Sequence, residues 1–161
     1  MKKYTRPLRF VLWLLVLAWM AVIFCFSMEN ADESSSTSGA VIRWLLERFD
    51  KGFPALSPTE QFAEIEAWSF AVRKLAHFLI FAVLGLLTAA ACSVDLGGKE
   101  AFLTALAIGI VYAATDEIHQ AFVPGRACQF RDVLIDASGV LLGAGAFTLI
   151  RLIRRRSNTQ K

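Results

Sequence analysis

The sequence predicts an all-α protein: a four-helix transmembrane bundle with an external loop that carries an amphipathic helix. Three observations lead there. The apolar residues, 56% of the 161, fall in four long blocks and are not scattered at a globular spacing. Only 19% of the chain is charged, below the ~25% usual for soluble domains. Lys and Arg also concentrate on one set of the intervening segments, as they do beside membrane spans.

The first block, Phe10 to Ser27, is eighteen residues without a charge. It follows Lys2, Lys3, Arg6 and Arg9, as in a signal peptide, but its apolar run is longer than a signal core and no A-x-A site follows, so a retained anchor is expected. The second block, Leu75 to Val94, contains His77 as its one titratable group apart from Cys92. The third, Ala101 to Thr115, reaches membrane length by continuing through Asp116 to about Phe122, and the fourth, Val133 to Ile150, is broken only by Asp136. A bilayer core takes roughly 20 apolar residues per helix. Spans are therefore expected near 10–27, 75–94, 101–122 and 133–153 in one membrane domain covering 1–161.

Four spans put both termini on one side. That side would hold ten basic residues: Lys2, Lys3, Arg6, Arg9, Lys99, Arg151, Arg154, Arg155, Arg156 and Lys161. The other would hold seven, with twelve of the fourteen acids. The chain is read as a multi-pass cell-membrane protein with cytoplasmic termini, an external loop over 28–72 and a basic tail over 154–161 facing anionic lipid. Nucleic acid is not an expected partner of so short a tail.

The loop opens with a polar run, Asp32 to Gly39, expected to be flexible. From Ser38 a helical pattern begins, with Val41, Ile42, Leu45, Leu46 and Phe49 on one face, suited to an interfacial helix or to a lid on the bundle. After the Gly52-Phe53-Pro54 break, Ser57-Pro58-Thr59-Glu60 has the form of a capping box with Pro at the first helical position. No breaker follows before Gly85, so one helix is expected to run from the surface into the second span. Cys25, Cys92 and Cys128 form no metal spacing and no disulfide framework.

The chemistry gathers between Ala113 and Gly143. Pro124-Gly125 suits the centre of a type II turn, and charges crowd both of its sides. On the second span Lys74, His77 and Phe81 share a face that continues to Gly85. On the third, Ala105, Gly109, Ala113, Asp116, Glu117 and Gln120 make one stripe; on the fourth, Asp132, Asp136, Gly139 and Gly143 do so. Small residues let helices touch in a bilayer, so polar residues on the same stripes should face the bundle interior. The topology then brings His77, Asp116, Glu117, Gln120, Arg126, Asp132 and Asp136 to one depth, at the outer mouth.

Three readings of this cluster compete. In the first, Arg126 pairs with Asp132 or Asp116, His77 with another carboxylate, and the network only locks the hairpin in a scaffold or partner-binding protein. In the second, Arg126 and Lys74 hold an anionic envelope molecule, with His77, Asp116 or Glu117 available for acid/base chemistry. In the third, a metal sits among His77, Asp116, Glu117 and His119 or Asp132, but no H-E-x-x-H spacing supports it, and no metal is assigned. No serine elbow, phosphate loop or dinucleotide fingerprint occurs, so no cofactor is expected. Nor is there a discontinuous-helix pair of the kind secondary transporters use.

Arg73-Lys74-Leu75-Ala76-His77-Phe78, Asp116-Glu117-x-x-Gln120-x-Phe122-x-Pro124-Gly125-Arg126, and Asp132-Val133 with Gly139 together resemble the signature of the VanZ-like family. These are small bacterial membrane proteins named for a member giving low-level teicoplanin resistance. The resemblance spans nearly the whole chain. It singles out Lys74, His77, Asp116, Glu117, Gln120, Arg126 and Asp132 as ligand-binding candidates. Asp136 falls where the family often carries an amide. The resemblance implies the lipid bilayer as surroundings and an envelope precursor or glycopeptide-related molecule as ligand.

Overall fold

The computed structural model describes residues 6–159, so the charges at Lys2, Lys3 and Lys161 lie outside the described residues. The described chain is helical throughout its elements: α1 (Arg6–Ser27), α2 (Ala31–Phe49), α3 (Pro58–Cys92), α4 (Gly98–Gln120) and α5 (Phe130–Thr159), with a 3₁₀ turn at Phe53–Ala55. Four of them, α1, α3, α4 and α5, are long and apolar enough to cross a membrane.

The expected spans grow at their ends. Ser57 accepts from the Glu60 amide while the Glu60 carboxylate takes the Ser57 amide, completing the capping box that starts α3. From there α3 runs unbroken for 35 residues to Cys92. The basic tail expected after residue 153 continues α5 as helix to Thr159.

One expectation fails. The polar run Asp32 to Gly39 is not flexible: α2 begins at Ala31, seven residues before Ser38. Asn30 accepts from the amides of Asp32 and Glu33, and Glu33 returns a bond to Asn30, a capping box that outweighs the weak helix propensity of the serines. Ser38 turns inward and donates to the Ser34 carbonyl. The buried face is also narrower than expected. Ser38 and Ile42 are buried against α3, whereas Val41 and Phe49 are exposed.

The most extensive contact in the bundle joins α3 to α5, and glycine makes it possible. A Cβ on Gly85 would collide with the Val140 carbonyl, one on Gly139 with the Phe78 carbonyl, and one on Gly143 with the Ala82 carbonyl. The two backbones therefore lie directly on each other, the arrangement that replaces hydrophobic driving force inside a bilayer. Val140, fully buried, fills the space left by Gly109 of α4. α1 leans on this core through Val16 and Ile23, and Trp19 donates to the Ile80 carbonyl at 2.8 Å. Tyr112 of α4 donates to the Met20 carbonyl at 2.6 Å. At the end that carries both termini, Arg9 pairs with Asp95 at 2.9 Å and Arg151 donates to the Ser93 carbonyl at 3.0 Å.

Candidate functional site

The opposite end of the bundle holds the polar cluster. Every member of the α4 stripe, Ala105, Gly109, Ala113, Asp116, Glu117 and Gln120, is buried. The stripe turns these acids inward because the small residues preceding them set the rotation of α4 against α3 and α5. Lys74 and His77 come from α3, one helical turn apart, and Asp132 and Asp136 from α5, with the same periodicity.

Specific contacts organise the group. Lys74 Nζ lies 2.5 Å from Asp132 Oδ2. Gln120 Nε2 donates to Asp116 Oδ2 at 2.9 Å. The Gln129 backbone amide donates to Glu117 Oε1 at 2.7 Å, tying the α4–α5 connection to the buried end of α4. His77 Nδ1 stands 3.5 Å from Asp136 Oδ1, which is fully buried. His77, Asp116 and Asp136 each offer a donor atom within 4.8 Å of the others. His77, Asp116 and Asp136, drawn from three helices, thus converge at this end of the bundle.

Two of the arrangements the sequence left open do not form. Arg126 is not paired with Asp132 or Asp116: among the described residues no carboxylate oxygen lies within 4.0 Å of its guanidinium. Asp132 is instead taken by Lys74, and Asp116 by Gln120. Burial lowers the Arg126 pKa from its ordinary value, while Glu29 and Asp116 pull it back up. His119 is not among the grouped donor atoms. Its Nδ1 meets Ser27 Oγ at 3.1 Å and its ring packs on Phe24, so it joins α4 to α1.

Asp136, set aside on the family pattern, is at the centre of the group. Its place on the stripe Asp132-x-x-x-Asp136-x-x-Gly139 was the signal for it. Arg73 is a second residue that spacing alone did not single out. It donates to Ser35 Oγ at 3.3 Å and borders both cavities of the site.

Those cavities lie side by side. One, of about 240 Å³, is polar, and its charged lining is Arg73, Lys74, His77, Arg126, Arg131 and Asp132. The other, of about 200 Å³, is mostly apolar and runs between α1, α2 and α3 past Ile23, Phe26, Val41, Val72 and Ile80. Ser34, Arg73, His77 and Arg126 border both. Phe70 shapes the rim, with the Lys74 and Arg131 cations 5.5 Å and 5.0 Å from its ring centre.

The type II turn that carries Arg126 forms as expected. Gly125 takes φ 76°, and the Arg126 amide donates to the Val123 carbonyl at 3.1 Å. Cys25, Cys92 and Cys128 are all free thiols.

The sequence model of the family described as VanZ/LLP1 aligns with residues 11–151, from the first span to the fourth. No curated protein and no solved structure matches the chain.

Proposed function

This chain belongs to the VanZ/LLP1 family, and on that premise we propose that it binds an anionic, lipid-linked component of the cell envelope at the outer face of the membrane. The observation that carries the reading is the pair of adjacent cavities, which share Ser34, Arg73, His77 and Arg126 as lining. The polar one has five basic or imidazole side chains against a single carboxylate, Asp132, which Lys74 already neutralises. Arg73 and Arg126, neither within 4.0 Å of a carboxylate among the described residues, stand at the junction with the apolar cavity. A guanidinium there can hold a phosphate or carboxylate through paired N–H bonds, while an acyl or prenyl chain lies along Ile23, Val72 and Ile80.

The residues divide by role. Lys74–Asp132, Gln120–Asp116 and Gln129–Glu117 bond to one another and hold the hairpin together. Arg126, Arg73 and His77 border both cavities and are the contacts left for a ligand. The outer placement follows from the charge asymmetry between the two ends of the bundle. Binding an envelope precursor at this face is the means by which the protein would contribute low-level resistance to teicoplanin.

The test is a deletion strain challenged with teicoplanin and vancomycin, complemented with wild type or Arg126→Ala. Purified protein in detergent is assayed in parallel for stabilisation by a polyprenyl phosphate against phosphatidylcholine. Arg126→Ala should keep its membrane abundance and lose both the rescue and the stabilisation by the phosphate. Full rescue and undiminished phosphate stabilisation by Arg126→Ala would refute the reading.

A further inference from the structure

We propose that His77, Asp116 and Asp136 form a site for a divalent transition-metal ion of the Zn²⁺ or Mn²⁺ class. One donor atom from each lies within 4.8 Å of the other two. Metal–donor bonds of about 2.0–2.2 Å in a tetrahedral site place neighbouring donors ~3.4 Å apart. The separation of His77 Nδ1 and Asp136 Oδ1, 3.5 Å, matches that edge. It is also long for a hydrogen bond. An edge at the 4.8 Å limit would have to close by about 1.4 Å to reach that distance.

A second observation points to a cation. Asp136 is fully buried, and neither of its carboxylate oxygens has a hydrogen-bond partner among the described residues. Asp116 Oδ1, in a residue only 4% exposed, has none either. Buried carboxylates are normally paired or coordinate metals. The basic side chains nearby do not answer this need. Lys74 is committed to Asp132, no carboxylate oxygen among the described residues lies within 4.0 Å of Arg126, and His77 offers a ring nitrogen at coordination distance from Asp136.

The donor set selects the ion. An imidazole among the ligands disfavours Mg²⁺ and Ca²⁺, which take oxygen, and the absence of thiolate disfavours soft ions such as Cu⁺. Three protein donors leave at least one coordination position open, as in sites that bind a further ligand. His77 also borders the polar cavity, which places the site beside the groove. The inference goes beyond anion binding at Arg126 and does not depend on it.

The test uses the full chain in detergent, stripped with a chelator and dialysed against Zn²⁺ or Co²⁺. Bound metal is measured by mass spectrometry and by the visible absorption of Co²⁺. Wild type should take up about one equivalent and melt at a higher temperature when loaded. Asp136→Asn and His77→Gln should each weaken binding by about tenfold or more. Asp95→Asn, at the other end of the bundle, should bind like wild type. Asp136→Asn removes a buried charge and should fold without metal; if it does not, His77→Gln carries the test alone. Failure of the wild type to retain Zn²⁺ or Co²⁺, or retention of wild-type affinity by His77→Gln, overturns the proposal.

Discussion

Two glycines on α5, two residues apart, should respond to the same substitution with opposite signs. A methyl group on Gly145 meets nothing within 4 Å. One on Gly143 is driven into the Ala82 carbonyl, with Ala82 C at 2.7 Å and Leu86 N at 2.8 Å. Glycine is about 0.8–1 kcal/mol worse than alanine inside a helix, so Gly145→Ala should stabilise by up to that amount. Gly143→Ala gains the same propensity but faces backbone atoms, which no rotamer change can move aside. Restoring ordinary contact distance requires α3 and α5 to part by about an ångström, and overpacking of this kind costs about 1–3 kcal/mol, occasionally more.

The expected gap between the two variants is therefore the overpacking cost itself, about 1–3 kcal/mol, since the propensity gain is common to both. For a chain of this length that corresponds to roughly 2–12 °C in melting temperature. Circular dichroism melts in one mild detergent, with both variants beside wild type, provide the measurement. Gly145→Ala should melt at or above wild type and Gly143→Ala below it. If Gly143→Ala melts as high as Gly145→Ala, the backbone contact between α3 and α5 is wrong, and with it the placement of Asp136 beside His77.

Two further outcomes are expected. Lys74→Met strands Asp132, whose side chain is only 13% exposed, and should cost about 3 kcal/mol; Lys74→Met with Asp132→Leu should recover most of the loss in the same melts, and no recovery would show that the pair is not a unit. Cys128 lies exposed in the α4–α5 connection, at the end proposed to face outward, so in a Cys25→Ser background a membrane-impermeant maleimide should label intact cells and fail on Cys128→Ser; labelling only after permeabilisation would invert the orientation.

The parts of the fold legible in the sequence were those set by local chemistry or by strict periodicity. Ser57-Pro58-Thr59-Glu60 announces the start of α3 because its bonds lie within four residues. The stripe from Ala105 to Gln120 announces its buried face because small and polar residues recur at the helical period. Asn30-x-x-Glu33 carries the same local signal for α2, but the serine-rich stretch after it reads as flexible when composition is weighed over capping. That no carboxylate among the described residues would come within 4.0 Å of Arg126 was not legible. Nothing in spacing says that Lys74, reaching across from α3, will take Asp132 first.

The early start of α2 also bears on the site. The Ala31 amide donates to the Pro124 carbonyl at 3.4 Å, and Ala31 Cβ packs where a side chain on Gly125 would stand. The first turn of α2 therefore rests on the turn that carries Arg126. Ala31 and Ser34 border the polar cavity, while Ser34, Thr37 and Ser38 border the apolar one. Small side chains along this run let α2 lie close over α3 without filling either cavity. The run that looks like a linker is thus a helical cover whose N-terminal end packs on the turn that carries Arg126.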